Sequence, residues 1–154
     1  MTPLTCRTID VIRGGAHDGP GLRTTVFLKG CSLSCRWCQN PEGIAATQEV
    51  WWESRKCIRC LACVEACPNT ALSASDEGLQ LDREKCVVCG ACVPACPALA
   101  MTFTGHEWTL DALLKKVRKD QDYYQAFGGG VTVSGGEPLC QYPFVAEFLR
   151  RLQA

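Results

Sequence analysis

Apolar residues come in short runs punctuated by glycine and proline, and the runs change character twice along the chain. Residues 8–29 hold two apolar stretches around a glycine-dense segment, 14–21, which reads as a loop. Residues 24–29, Thr24, Thr25, Val26, Phe27, Leu28 and Lys29, are rich in β-branched and apolar positions and stop at Gly30, which predicts a buried strand. Residues 79–82 and 101–104 alternate apolar and polar positions, as short strands with one covered face do. Past Gly105 the period lengthens. Leu110, Leu113, Leu114 and Val117 fall at helical spacing, Thr109 stands where a cap belongs, and Asp111 lies in the first turn. Glycines 128–130 end that helix, and residues 131–134 predict a second buried strand. Pro143 suits the first turn of a last helix, with Phe144, Val145, Phe148, Leu149 and Leu152 as its buried stripe. This pattern is still running at Ala154, and two strands offer it no partner layer, so the chain is expected to belong to a longer protein.

Charge removes several classes. Lys plus Arg number 16 and Asp plus Glu 16, so the formal charge is zero. That argues against a nucleic-acid binder or a ligand of anionic membrane surfaces. Nothing approaches the roughly 18 consecutive apolar residues of a membrane span, and residues 1–10 lack the basic and then apolar start of a secretory leader. Thirteen cysteines among 154 residues change the picture most. In a secreted mini-protein they would pair as disulfides, but here they fall in C-x2-C and C-x3-C runs that suit metal. The expectation is a cytoplasmic, reduced iron–sulfur protein.

Cys31, Cys35 and Cys38 follow the first buried strand at C-x3-C-x2-C spacing. A 4Fe–4S cube normally takes four thiolates, so three without a local fourth suggest a cube with one open iron. Such an iron can bind a substrate and pass one electron into it. The end of a strand is also where β/α barrels build their active sites. Taken alone, these cysteines leave a structural metal site as the lesser alternative. A different pattern starts at Cys57. Cys57, Cys60, Cys63 and Cys67 precede Pro68, and Cys86, Cys89, Cys92 and Cys96 precede Pro97. The second run repeats the first 29 residues later at every cysteine, which marks a duplication. The spacing matches the bacterial two-cluster ferredoxin pattern, in which the fourth cysteine serves the other cluster. That likeness implies ligand sets of Cys57, Cys60, Cys63 with Cys96, and of Cys86, Cys89, Cys92 with Cys67. A zinc site is the rival, disfavoured by the extra Cys63 and Cys67, the prolines and the regular repeat.

The segment 18–23, Cys31 with its loop and the following residues 40–42, the two ferredoxin-type runs, and residues 129–138 with Gly135, Gly136, Glu137 and Pro138 together resemble the glycyl-radical-enzyme activating enzymes. These are radical S-adenosylmethionine (SAM) proteins related to the pyruvate formate-lyase activase. The resemblance covers essentially the whole chain, which looks like the N-terminal half of such a protein. It implies an α/β fold: the first part of a partial (β/α)6 radical SAM barrel in residues 1–50, a ferredoxin-like α+β insert with two 4Fe–4S clusters in 51–104, and the barrel continued in 105–154. It implies three 4Fe–4S clusters and SAM as cofactors, with the SAM cluster on Cys31, Cys35 and Cys38. Gly135, Gly136 and Glu137 would lie against the methionine amino group, and Trp37 beside the adenine. The implied reaction is reductive cleavage of SAM to methionine and a 5′-deoxyadenosyl radical, which removes a hydrogen from a glycine Cα of a partner glycyl radical enzyme. The electron donor would be flavodoxin or ferredoxin, with no role for nucleic acid or membrane. Two other readings stand beside it: a radical SAM enzyme acting on a small molecule, such as a 7-carboxy-7-deazaguanine synthase-like protein, and a ferredoxin-type electron carrier. The carrier would need only residues 57–97 and leaves the first three cysteines unexplained. Cys6 and Cys140 lie outside all runs and read as ordinary small apolar residues.

Overall fold

The structure, a computed structural model, describes residues 3–76 and 78–153. Met1 and Thr2 of the segment expected to lack a leader, Glu77 beside the strand expected over 79–82, and Ala154 lie outside the described residues. In chain order the elements are β1 (Thr5–Gly15), β2 (Arg23–Leu28), β3 (Glu49–Trp52), α1 (Ala62–Glu65), β4 (Leu72–Ser75), β5 (Gly78–Leu81), β6 (Met101–Thr104), β7 (His106–Thr109), α2 (Leu110–Arg118), α3 (Gln121–Phe127), β8 (Gly130–Gly135) and α4 (Tyr142–Leu152). The chain divides into two compact units, Met1–Thr47 with Gly105–Ala154, and Gln48–Thr104.

In the first unit the described strands form one mixed sheet in the order β7-β1-β2-β8, and they do not close into a barrel. β1 runs antiparallel to both β7 and β2, whereas β2 and β8 are parallel. Two strands were expected and four are present. β1 carries Arg7, Asp10 and Arg13 among its apolar positions, and β7 has only four residues, so neither shows the apolar density that marks β2. Val26 and Leu28 of β2 pack with Leu110, Leu113, Leu114 and Val117 of α2 and Phe144, Val145 and Phe148 of α4. Each such side chain contributes about 1.5–3 kcal/mol on full burial. The stripe read for α4 holds except at Leu149, which is exposed, while Leu152 only partly joins the core. Thr109 does cap α2, its Oγ1 accepting the Ala112 N–H at 3.3 Å.

The helix expected to reach Gly128 is two helices. The break falls at Asp120, a buried carboxylate that accepts hydrogen bonds from Arg13 of β1, Nε at 2.7 Å, and from the Thr24 hydroxyl of β2 at 2.9 Å. Arg13, aided by Thr24 and opposed by burial, holds this carboxyl below the usual range. The folded value lies under the unfolded one of about 3.9. The pair's stability is therefore fully present above that pH and is lost as pH falls through the folded value. Because the Arg13 side chain is 44% exposed, solvent screens the pair and its worth is modest. Asp120→Asn is expected to lower the thermal midpoint at pH 7 and to shrink the gap to the parent near pH 3. A gap independent of pH would contradict this assignment.

In the second unit the cysteine repeat extends to the backbone. A shift of 29 residues carries β3 onto β5 and β4 onto β6. β3 pairs antiparallel with β6, and β4 with β5. The strand before each cysteine run thus pairs with the strand after the other run. The same shift relates the bonds Glu53 N–H to Ala100 O and Asp82 N–H to Ala71 O, both 2.8 Å, which close the two sheets. It also relates Arg59 to Val88, Leu61 to Gly90 and Thr70 to Leu99, all with positive φ. Val50, Leu72, Ala100 and Met101 form the unit's core together with Cys63, Cys92 and Cys96.

Candidate functional site

The parallel pairing of β2 with β8 puts two loops at one end of the sheet. The register runs to Leu28 opposite Gly135. Beyond it, the Gly136 N–H donates to Leu28 O at 2.7 Å and the Glu137 N–H to Gly30 O at 2.9 Å. Gly30 and Cys31 in turn donate to Gly43 O at 2.7 Å and Ile44 O at 3.0 Å. The start of the three-cysteine loop is therefore stitched on one side to its own return and on the other to the Gly-Gly-Glu segment. Glycine is needed there. Gly135 has φ +104°, and a Cβ on Gly136 would land on the Gly30 carbonyl and 2.9 Å from that of Gly43.

Cys31 is half-buried, and Cys35 and Cys38 are exposed. The Leu33 N–H approaches Cys31 Sγ at 3.4 Å, and the Cys38 N–H donates to Cys35 O at 3.2 Å, so the loop folds on itself and presents two thiols outward. Trp37 is 81% exposed, not packed in the core. Glu137 caps the turn that follows it, Oε1 accepting the Leu139 N–H at 3.0 Å. Two supporting residues escaped the sequence reading. Lys29 is buried, and its Nζ donates to Glu42 O, tying the strand end to the loop's return. Its one signal was a charge at the end of an apolar run. Gln141 donates to Arg7 O and Lys29 O, both at 2.8 Å, and accepts from Arg7 N at 2.9 Å, which clamps β1 to β2 beside the loop. Nothing in its sequence context marks it.

The eight cysteines of the second unit line two separate cavities. Cys57, Cys60, Cys63 and Cys96 line one, under Leu79 and Met101. Cys67, Cys86, Cys89 and Cys92 line the other, under Val50, Leu72 and Leu81. Each cavity thus draws three thiols from one run and the last thiol from the other, a consequence of the crossed strand pairing. The Ala71 N–H faces Cys67 Sγ at 3.3 Å and the Ala100 N–H faces Cys96 Sγ at 3.2 Å, two donors related by the repeat. Burial pushes the Cys63 and Cys92 thiols up. Burial also acts on Cys96, but the N–H groups of residues 98–101 together outweigh it and bring that thiol down. Cys6 is of another kind: burial and then Glu107 push it up to about 12, so it stays a thiol.

Among the described residues, no three or more His, Cys, Asp or Glu side chains converge on a point for one metal ion. A cube binds each thiolate to a different iron, so its cysteines stand farther apart than the ligands of a single ion. Four thiols around an apolar cavity, with N–H groups on the sulfurs, fit that larger group. Among the described residues no helix is long and apolar enough to cross a membrane.

Residues 17–154 match a protein-family profile described as a 4Fe-4S single cluster domain. Among curated proteins the chain is similar to the trans-4-hydroxy-L-proline dehydratase activating enzyme of Clostridioides difficile, 45% identical over 141 residues, covering 92% of this chain and 46% of that protein. It is 42% identical over 149 residues to the isethionate sulfite-lyase activating enzyme of Nitratidesulfovibrio vulgaris, covering 93% and 48%. It is 41% identical over 150 residues to the benzylsuccinate synthase activating enzyme of Thauera aromatica, covering 94% and 45%. The chain spans about half the length of these relatives.

Proposed function

Because this chain belongs to the glycyl-radical-enzyme activating enzymes, radical SAM proteins matched by the 4Fe-4S single cluster domain profile, we propose that it binds SAM at a 4Fe–4S cluster on Cys31, Cys35 and Cys38 and acts in radical formation on a partner glycyl radical enzyme. Held by those three thiolates, a reduced cluster with one open iron would supply the single electron for reductive cleavage of SAM at the sulfonium C5′–S bond, the source of a radical able to abstract a hydrogen atom from a glycine Cα of the partner.

The observation that carries this reading is the hydrogen bond from Glu137 N–H to Gly30 O, next to Cys31, at 2.9 Å. It joins the cluster loop to a segment with no side chain at positions 135 and 136. A ligand that must reach an iron on one loop and a carboxylate on the other suits that junction. Glu137, whose carboxylate now accepts one backbone N–H, would add the SAM amino group as a charged donor. Trp37 offers an exposed ring face for the adenine. The β2–β8 parallel pair would be part of a partial (β/α)6 barrel.

In the same reading the two cavities of the second unit hold further 4Fe–4S clusters, one on Cys57, Cys60, Cys63 and Cys96 and one on Cys67, Cys86, Cys89 and Cys92, which carry electrons from a flavodoxin or ferredoxin. The named relatives activate a dehydratase, a sulfite-lyase and a synthase, and the partner here would be a glycyl radical enzyme of that group.

Low-temperature EPR of the anaerobically reconstituted, reduced chain tests this. Adding SAM is expected to change one cluster's signal and leave the others unmoved. Signals indifferent to SAM would mean either that SAM binding needs a longer chain or that the chain is an electron carrier, and the same spectrum on a longer protein chooses between them.

A further inference from the structure

The two cysteine cavities are built by one repeat, yet they differ at a strand position that faces both. The 29-residue shift carries Trp52, the last residue of β3, onto Leu81, the last residue of β5. Trp52 lines the cavity of Cys57, Cys60, Cys63 and Cys96, and Leu81 lines that of Cys67, Cys86, Cys89 and Cys92. The indole Nε1–H of Trp52 is fully buried and has no acceptor among the described residues. The ring lies over Gly78, where a Cβ would come within 2.8 Å of its Cη2, so glycine at that position leaves room for it. A buried donor without an acceptor is costly and rare in native proteins. The cost disappears when the acceptor is a group the cavity takes up. Leucine at the equivalent position has no donor to satisfy.

We propose that Trp52 donates an N–H···S hydrogen bond to the cluster held by Cys57, Cys60, Cys63 and Cys96, and that this bond makes it the more easily reduced of the pair. The inference rests on the reading that the two cavities hold 4Fe–4S clusters. Reduction places extra negative charge on the cluster and its sulfurs. A donor aimed at a sulfur stabilises the reduced form more than the oxidised form, which is one of the protein's levers on cluster potential. The backbone donors from Ala71 to Cys67 and from Ala100 to Cys96 are repeat-related, one in each cavity. Arg59 lines the Trp52 cavity where the repeat has Val88, and its charge works in the same direction. The pair is then electrically polar, with the electron resting on the Trp52 side.

The test is an EPR-monitored redox titration of the full chain carrying Cys31→Ala, Cys35→Ala and Cys38→Ala, so that two clusters remain, with and without Trp52→Phe. Phenylalanine keeps a ring and removes only the N–H donor. One couple is expected to move to more negative potential. At a fixed poise its reduced-to-oxidised ratio should fall about tenfold, the worth of one hydrogen bond, or about 59 mV for one electron, with the other couple unmoved. A hyperfine coupling to an exchangeable proton, replaced by deuterium in D2O, should be present in the parent and lost in Trp52→Phe. Two clusters present by iron and sulfide analysis, with neither couple moved, would overturn the inference alone. Both couples moving together would overturn it as well, since that reports a general disturbance of the unit. A parent without two clusters would overturn the underlying reading and the inference with it.

Discussion

Replacing Cys35 with alanine is expected to reduce cleavage of SAM to 5′-deoxyadenosine to the reagent background, while about two-thirds of the bound iron stays in place. The Cys35 side chain is exposed, and its backbone carbonyl, which accepts the Cys38 N–H, survives the substitution. An exposed change of this kind alters stability by no more than about 0.5 kcal/mol. The loop should therefore keep its fold and lose only a ligand. A cluster that already lacks a fourth thiolate would be left with two, which is too few to retain it. The cavities of the second unit use other cysteines, so on the proposed reading any iron held there should persist. Chromatography of 5′-deoxyadenosine under dithionite, beside an iron and sulfide analysis, measures both quantities. Cleavage that survives the change would remove the SAM cluster from this loop.

Gly136→Ala should do comparable damage by a different route. Here no ligand is lost. A methyl group at this position meets the carbonyl oxygens of Gly30 and Gly43, which are backbone atoms already tied into the Gly30–Gly43 and Glu137–Gly30 hydrogen bonds. None of these can swing aside as a long side chain could. Relief requires the end of β8 to draw away from the start of the cysteine loop. The expected cost is about 1–3 kcal/mol, the usual range for overpacking a fitted interior. The functional loss should exceed what that stability change alone would bring. The SAM-induced EPR change should disappear while iron content stays near that of the parent. A variant that still shows the SAM response at parental SAM concentration would mean that this junction does not shape the SAM site.

These two substitutions probe features of very different legibility. The three cysteines could be read directly, because they lie within eight residues and their spacing is a local property. β2 and the buried face of α2 were legible for the same reason: an apolar run and a helical period are carried by neighbours in the chain. Thr109 as a cap belongs with them. β1 and β7 were not legible, since they earn their place by pairing with each other and, for β1, with β2, despite polar residues along β1. The break between α2 and α3 is equally invisible locally. Asp120 leaves the helical path to meet Arg13 and Thr24, which are about a hundred residues away in the chain.

The repeat makes the same division inside the second unit. Its spacing, 29 residues at each cysteine, is written in the chain. Which thiols face one cavity follows from β3 pairing with β6 and β4 with β5, a long-range choice made by burying Val50, Leu72 and Met101 together. In the first unit, Lys29 and Gln141 became supports of the cysteine loop only when β1, β2 and the turn after Glu137 met. By itself, then, the sequence determined the donor atoms, their local spacing and the elements whose periodicity neighbours enforce. The tertiary structure alone decided which strand ends share a site, which polar groups are buried beside it, and where a donor such as Trp52 is buried without an acceptor among the described residues. The physical reason is that spacing and periodicity act over a few residues. Strand register, burial and hydrogen-bond satisfaction depend on segments that meet only after the chain has folded.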